Sequence, residues 1–206
     1  MSNQYLKSKK FINLNKTRLE NLVFDKAGEY VIFFHNLSGK FNFEIRSSGV
    51  DVNIFGLFTG KNNDEFKVET VQHHLFPDSS SNLLIKGVFE DESKLGYHGL
   101  IKIEKEGKGS HAYQKNQNLI LSPQAFVESK PYLEIMANDV YCTHGSTIGR
   151  LNKDEIIYLQ SRGIDQKSAE KLLVEGFIDE LFDKIKIKFP ALRAPLLQKG
   201  EKFSSF

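Results

Sequence analysis

Cys142 and His144 form the residue pair best suited to chemistry, in the stretch DVYCTHGSTIGRL from Asp139 to Leu151. Cys142 is the only cysteine of the chain. Alternate residues of a β-strand point to the same face, so its thiol and the His144 imidazole could meet each other or bind one metal ion. A neighbouring imidazolium would lower the thiol pKa, and iron and zinc both accept sulfur and nitrogen ligands. Two ligands do not complete a metal site, so a cluster here would need donors from another chain.

The same pair also has a purely structural interpretation. Cysteine is among the most frequently buried residue types, so Cys142 could be a small core side chain, with His144 satisfying a turn. Residue types alone favour this interpretation for Cys142. His73 and His74 are adjacent, so in a strand they would face opposite sides and could not bind one metal together. They are predicted to be surface or loop residues.

Other catalytic constellations do not occur in the sequence. It contains no G-x-S-x-G nucleophile elbow and no P-loop G-x-x-x-x-G-K-[ST], so neither a serine hydrolase nor an ATPase is predicted. The neighbouring carboxylates of Asp91 and Glu92 are interpreted as solvated loop charges. The sequence therefore favours a protein that is not an enzyme.

Composition narrows the range of partners. The 206-residue chain has a formal net charge of +2, too small to indicate nucleic acid or an anionic membrane. No apolar run approaches the roughly 18 residues that span a bilayer, and the opening MSNQYLKSKKFINL resembles neither a secretory signal nor an organellar presequence. A single cysteine cannot form an internal disulfide, which fits a reducing compartment. We therefore expect a cytoplasmic protein that binds neither nucleic acid nor a membrane.

Short apolar runs with Asn, Asp, Ser and Gly between them fill the chain from about residue 19 to 142 and predict strands. Alternation in FNFEI and in VDVNIF places the apolar residues of each run on one face: Phe41, Phe43, Ile45, Val50, Val52 and Ile54. Four later runs, NLILS, AFVES, YLEIM and DVYC, follow one another closely, without an Asn-Gly or Asp-Gly hairpin signal between them. Such tight corners favour a β-helix, although a β-sandwich remains open.

After Gly149 the pattern becomes helical. A short helix is predicted after the N-cap Asn152, with Gly163 as its stop, and a longer helix from the N-cap Asp165 to about Lys188. Apolar residues at three- and four-residue spacing predict an apolar face on the longer helix, wide enough to pack on the β-helix and still offer surface: Ala169, Leu172, Leu173, Gly176, Phe177, Leu181 and Ile185. The predicted domains are an N-terminal segment (1–18), a β-helix core (19–150), a helical domain (151–189) and an irregular tail (190–206).

The stretch KPYLEIMANDVYCTHGSTIGRLNKDEIIYLQSRGI resembles the C-terminal part of SufD-type members of the SufB/SufD family, from the SUF iron–sulfur cluster assembly machinery. KPxLEI from Lys130, DVxCxHG from Asp139 and YLQSRGI from Tyr158 carry the likeness, which is densest from about residue 73 to 182. The resemblance implies a mainly β fold, a right-handed parallel β-helix (solenoid) followed by a small C-terminal two-helix domain. It also implies a non-catalytic scaffold subunit that supports cluster assembly together with a SufB-like paralogue and a SufC-like ATPase.

The resemblance also implies roles for particular residues. His144 matches a SufD-type histidine implicated, together with a SufB cysteine, at the heterodimer interface, and Cys142 is the second candidate there. No cofactor is expected to be bound stably, but iron or an iron–sulfur cluster could be held transiently at the shared interface. The helical domain is implied to dock the ATPase, with four candidate contacts: Arg162, Gly163, Leu173 and Phe177.

Family members of this type are about twice as long and have a helical N-terminal region, for which this chain shows no equivalent. Segment 1–18 is therefore expected to cap the first turn of the solenoid. The chain could pair with the SufB-like paralogue or with a second copy of itself. Deletion of the residues after Leu151 is expected to leave a β-rich body. A SufB-like scaffold and a β-helical polysaccharide-active enzyme are the alternatives.

Overall fold

A computed structural model describes residues 9–190, in which eleven strands alternate between two sheets. Sheet A contains β1 (Lys9–Asn13), β3 (Gly28–His35), β5 (Val50–Gly60), β7 (Ser80–Phe89), β9 (His111–Ile120) and β11 (Tyr141–Gly149), in that order. Sheet B contains β2 (Asn21–Phe24), β4 (Gly39–Ile45), β6 (Glu65–His74), β8 (Lys94–Ile103) and β10 (Phe126–Ile135). The helices are α1 (Leu14–Thr17), α2 (Lys153–Ser161) and α3 (Gln166–Lys188).

Every pair of neighbouring strands is parallel, so the chain advances by one turn between partners within a sheet. In sheet A, Asp51 pairs with Ser80, Ser80 with His111, and His111 with Tyr141, so equivalent positions of successive turns stack. Parallel neighbours cannot come from hairpins, and an antiparallel sandwich is excluded. The predicted mainly β solenoid with C-terminal helices is confirmed.

One part of the strand prediction is wrong. The runs AFVES and YLEIM do not form two strands with a corner between them, because both belong to β10. Pro131 lies in the middle of that strand, opposite Gly99 of β8. β10 is the edge strand of sheet B, and an edge strand tolerates proline because only one of its sides takes part in the ladder.

The space between the two sheets holds the main hydrophobic core. The alternation predicted for FNFEI is confirmed, because Phe41, Phe43 and Ile45 are buried there. Val50, Val52 and Ile54 are buried in the same core, as expected. Aromatic rings dominate the early turns, and the ring of Phe34 stacks on that of Phe41 with centroids 5.3 Å apart.

Helix α3 lies across the outer face of sheet A. Its buried side chains are Ala169, Val174, Ile178, Leu181 and Ile185. They share a second core with outward-facing residues of three strands, Val31, Phe33, Phe55, Leu57 and Leu84. Toward the C-terminal end of α3, Phe182 lies beside Phe33, and Phe189 lies beside Phe11, with centroid distances of 6.2 and 5.6 Å.

The predicted apolar face of α3 packs on the solenoid only in part, since Leu172 and Gly176 are exposed, and it omits Val174 and Ile178, which are buried. The sequence of α3 contains two overlapping apolar stripes with helical spacing, and either could have packed. The sheet selects the stripe that includes Val174, Ile178 and Leu181.

The predicted helix ends are confirmed. The Asn152 side chain accepts a hydrogen bond from the Asp154 amide at 2.9 Å, and that of Asp165 accepts one from the Ser168 amide at 3.1 Å. Gly163 has a φ of +87°, a left-handed conformation that favours glycine after a helix.

The ends of the chain are described only in part. Residues 9–18 form β1 and α1, and β1 pairs with β3, while Leu14 is buried. The expected irregular tail lies outside the described residues except for Pro190, as does the first part of the expected cap. No helix within residues 9–190 is long and apolar enough to cross a membrane.

Candidate functional site

The last turn of the solenoid, called here the terminal rung, consists of β10 and β11. Each of these strands ends the strand order of its sheet and pairs on one side only, β10 with β8 and β11 with β9. Both strands therefore present a free edge of backbone N–H and C=O groups within the described part of the chain. Such an edge is a template for pairing with another strand.

Cys142 lies near the start of β11 with its side chain directed into the solenoid. It is opposite Ala112 of β9 and packs on a small apolar cluster that includes Ile103, Ala137 and Val140. Burial raises the pKa of the thiol, although a hydrogen bond with the Ala112 backbone opposes the shift. The thiol is therefore less acidic than a free cysteine, as expected for a packing residue rather than an activated nucleophile.

His144 is two residues further along β11, opposite Gln114. Its side chain points to the same face as that of Cys142, as the spacing predicted. Unlike Cys142 it is exposed, and its imidazole forms no hydrogen bond with any other residue between 9 and 190. Within that range no group of three or more His, Cys, Asp and Glu could hold a metal ion. The imidazole therefore has no partner in the described part of the chain.

Apolar side chains surround this pair on the terminal rung. Leu133 and Ile135 of β10, Met136 after it and Ile148 of β11 are between 39% and 59% exposed. Leu133 pairs with Ile101 and Ile135 with Ile103, both fully buried one turn earlier. The same inward-facing positions thus lose their cover at the terminal rung, which leaves an uncovered apolar end of the core.

The interior behind the terminal rung is polar, which sequence reasoning missed. Gln114, Asn116 and Asn118 are buried and lie opposite His144, Ser146 and Ile148. One side-chain polar atom of each amide has no hydrogen-bond partner within residues 9–190: Gln114 Oε1, Asn116 Nδ2 and Asn118 Oδ1. The alternation of polar residues in QKNQN was the available signal, since inward-facing positions of a solenoid are normally apolar.

His74 corrects another expectation, because it is fully buried between the sheets rather than on the surface. Its ring nitrogens lie 2.8 Å from the hydroxyls of Ser79 and Ser81. Burial, with a smaller effect of His73, lowers the pKa of His74 to about 4. His73 faces outward, as adjacency predicted, and contacts Glu104 at 2.9 Å. His74 is thus a neutral core residue.

The four candidate docking residues of the helical segment have different environments. The Arg162 guanidinium lies 5.3 Å from the ring centroid of Tyr158, and Gly163 turns the chain between the helices. Leu173 is half-buried. Phe177 is partly buried and packs against sheet A, and its role in docking stays a prediction. Ile157, Tyr158 and Leu172 are the exposed apolar residues nearby, and they were not predicted.

Lys86 explains the position of Phe177. This fully buried lysine projects from β7 beneath α3, where it donates to the Phe177 carbonyl at 2.7 Å and pairs with the Glu180 carboxylate. Its ammonium also lies 4.1 Å from the Phe177 ring centroid. Burial lowers the pKa of Lys86, and Glu180 opposes that shift. Nothing in the run NLLIKGVF indicated a buried ion pair, because its partner is distant in the sequence.

Comparison with known proteins agrees with this arrangement. The family description "SUF system FeS cluster assembly, SufBD core domain" matches residues 31–177. The chain is 36% identical over 107 residues to the iron–sulfur cluster assembly protein SufD of Escherichia coli, over 52% of this chain and 25% of that protein. It is 30% identical over 164 residues to a SufBD family protein of Mycobacterium leprae, over 76% of this chain and 41% of that protein.

A SufBD family protein of Synechocystis is 36% identical over 109 residues, which cover 53% of this chain and 24% of that protein. The chain thus spans less than half the length of the curated relatives it matches. The matched core domain nevertheless runs from β3 into α3 and includes the terminal rung. The chain therefore belongs to the SufBD family of SUF-system iron–sulfur cluster assembly proteins.

Proposed function

We propose that this chain is a non-catalytic, SufD-like scaffold subunit that supports cluster assembly in the cytosol with a SufB-like paralogue and a SufC-like ATPase. The observation that carries the proposal is the terminal rung, which combines two free strand edges, an uncovered apolar end and an exposed His144. A second subunit would complete the sheets and cover the apolar residues. It would also bring donors to an imidazole that has no partner within residues 9–190.

In this proposal His144 contributes to a site shared between two subunits. A lone imidazole cannot hold iron or a cluster, so thiolate or imidazole donors of the paralogue would complete the ligand set. The cluster is cargo that passes through the interface. Cys142 has a packing role in this scheme, since its thiol lies against apolar side chains.

The helical segment would dock the ATPase. Tyr158 of α2, Arg162 after it and Leu172 of α3 are exposed, and the Arg162 guanidinium lies 5.3 Å from the Tyr158 ring centroid. Because α3 also packs across sheet A, a force on the helices would be transmitted to the solenoid. That connection is the physical basis for coupling nucleotide hydrolysis by the partner to changes at the terminal rung.

The alternatives receive less support. A polysaccharide-active enzyme of β-helical fold would need clustered acidic and basic groups, usually with a metal ion. No metal-binding group of three His, Cys, Asp or Glu occurs between residues 9 and 190. A SufB-like scaffold would differ from a SufD-like one mainly in the residue that it contributes to the subunit interface. The histidine at position 144 favours the SufD-like role.

The test mixes the purified chain with the SufB and SufC proteins of the same organism and weighs the complexes by mass photometry. We expect a complex that contains all three proteins and reconstitutes a cluster. His144→Ala should assemble the same complex but reconstitute the cluster at least about tenfold more slowly, the scale of losing a positioned ligand. Homodimers alone, with no binding of either partner, would contradict the proposal. Cluster reconstitution by His144→Ala at the wild-type rate would show that His144 has no part in the proposed site.

A further inference from the structure

A cavity of about 610 Å³ lies where the helical segment meets the solenoid. It has three walls: the corner after β9, the chain from Arg150 through α2, and the first turns of α3. Its apolar lining is aliphatic, from Ile120, Leu121, Leu151, Ile156, Ile157 and Val174. The volume is within the range of about 300–1,000 Å³ that is usual for small-molecule sites.

The polar lining of this cavity is strongly cationic. Arg150, Lys153, Lys167 and Lys171 line it, and none of them forms an ion pair with another residue between 9 and 190. Some surface lysines of the chain are paired, as in Lys67 with Glu65 and Lys130 with Glu128. What distinguishes the cavity is that four cations without an ion pair among residues 9–190 line one concavity.

The two carboxylates in the lining do not neutralise this charge. Glu90 faces Lys61, whose ammonium lies 3.9 Å away, and burial raises the pKa of the Glu90 carboxyl. Glu170 accepts a hydrogen bond from the neutral Gln166 side chain at 2.8 Å and keeps its charge, so four cations face two carboxylates in the lining. The cavity therefore combines an aliphatic floor with an excess of positive charge.

We infer that this cavity binds an organic phosphate, a ligand with an apolar body and at least two phosphate groups, such as a nucleoside diphosphate. Four cations exceed what a single carboxylate requires, which disfavours a fatty acid. Lysine and arginine side chains are suited to phosphate oxygens, and the aliphatic floor would pack against the organic part. This inference does not depend on the proposed function, because it concerns the chain without its partners.

The test titrates ADP into the purified full chain by isothermal calorimetry at low salt, with adenosine and inorganic pyrophosphate as separate arms. We expect saturable one-site binding of ADP that weakens as salt is added, because the interaction is electrostatic. Adenosine and pyrophosphate should each bind at least about tenfold more weakly than ADP, since each lacks one half of the ligand. Pyrophosphate binding as tight as that of ADP would overturn the organic half of the inference.

Paired variants assign the binding to this cavity. Lys167→Met with Lys171→Met should weaken ADP binding about tenfold or more, whereas Lys167→Arg with Lys171→Arg should retain it. Lys67→Met with Lys130→Met, which removes two lysines from the outer face of sheet B, is the matched control and should bind like the wild type. Equal binding by the first pair of methionine variants and the wild type would overturn the inference.

The absence of ADP binding below about 1 mM would also overturn it. If the same two methionine substitutions then weakened binding of the SufC protein, the cationic cavity would be a protein-docking surface instead. The failure of this inference is thereby distinguishable from a failure of the proposed scaffold role.

Discussion

The two sheets of the solenoid differ in how their outer faces meet their surroundings. In β3, β5 and β7 of sheet A nearly every residue is buried, because the core covers one face and α3 the other. In β6 and β8 of sheet B buried residues alternate with more exposed ones, because the outer face meets water. The pattern of a strand's sequence thus depends on how many of its faces are covered. A strand covered on both faces has a continuous apolar run, and a strand covered on one face has alternating apolar and polar residues.

The outer face of sheet B also shows what an uncovered solenoid face requires. Lysine and glutamate side chains pair across and along its strands, as in Lys40 with Glu69 at 3.7 Å. Charged side chains of this kind keep a sheet face hydrated and oppose association. Sheet A has Phe33, Phe55 and Leu57 in comparable positions, so it depends on α3 for cover.

The most severe test of this comparison removes α2 and α3 by ending the chain after Leu151. The sequence indicated that the body would survive this deletion, but the structure predicts otherwise, because a wide apolar face becomes exposed. We expect aggregation or loss of the cooperative melting transition, measured by calorimetry and light scattering. The substitutions Phe33→Thr, Phe55→Thr and Leu57→Thr should restore solubility to the shortened chain. A soluble, cooperatively folded deletion without those threonines would contradict the comparison.

A smaller effect is expected from truncating single side chains of α3. Leu181→Ala should lower the free energy of unfolding by about 2–4 kcal/mol, because a fully buried leucine leaves a cavity against sheet A. Leu172→Ala is the matched control on the same helix. It should cost less than about 0.5 kcal/mol, because Leu172 is about half exposed. Urea denaturation measures both values, and equal losses would mean that the buried face of α3 is assigned wrongly.

The ion pair beneath α3 gives the next test. Glu180→Ala leaves the fully buried Lys86 without its carboxylate and should cost about 3 kcal/mol. Lys86→Met should cost less, because Glu180 is half exposed and regains water. Urea denaturation at about pH 7 separates the two variants. If Lys86→Met were less stable than Glu180→Ala, packing around the Lys86 side chain, and not the ion pair, would be the main contribution that holds α3 on sheet A.

The same variants should differ in their response to pH. Burial lowers the pKa of Lys86, so between the folded pKa and the ordinary value of 10.5 the unfolded chain binds more protons than the folded chain. Stability therefore rises with pH through that window, and the cost of the buried charge is fully present below it. Glu180→Ala, which removes the opposing effect of the carboxylate, should show this rise most clearly. Lys86→Met should lack it.

The smallest effect concerns β11, the strand of sheet A whose outer face α3 leaves exposed. Burial raises the pKa of Cys142, so little thiolate is present near neutral pH. Iodoacetamide should therefore alkylate the native protein at least about tenfold more slowly than the urea-unfolded protein. Mass spectrometry follows the reaction. Equal rates would show that burial does not protect Cys142, and a faster reaction of the native protein would restore it as an activated thiol at the terminal rung.

Several structural features of this protein could be predicted from local sequence. Strand-length apolar runs without hairpin signals predicted the solenoid, and the caps at Asn152 and Asp165 predicted where the helices begin. The spacing of Cys142 and His144 predicted that they share a face of one strand. These features depend on residues a few positions apart, where backbone geometry alone relates sequence to structure.

What tertiary structure decided involves residues that are distant in the chain. The sequence did not distinguish the two apolar stripes of α3, and only packing on sheet A selected the one with Val174 and Ile178. It could not pair Lys86 with Glu180, which are 94 residues apart, or bury His74 among serines. Side-chain type and local period determine the elements, but their burial depends on which other surface covers them. That surface exists only once the turns of the solenoid have stacked.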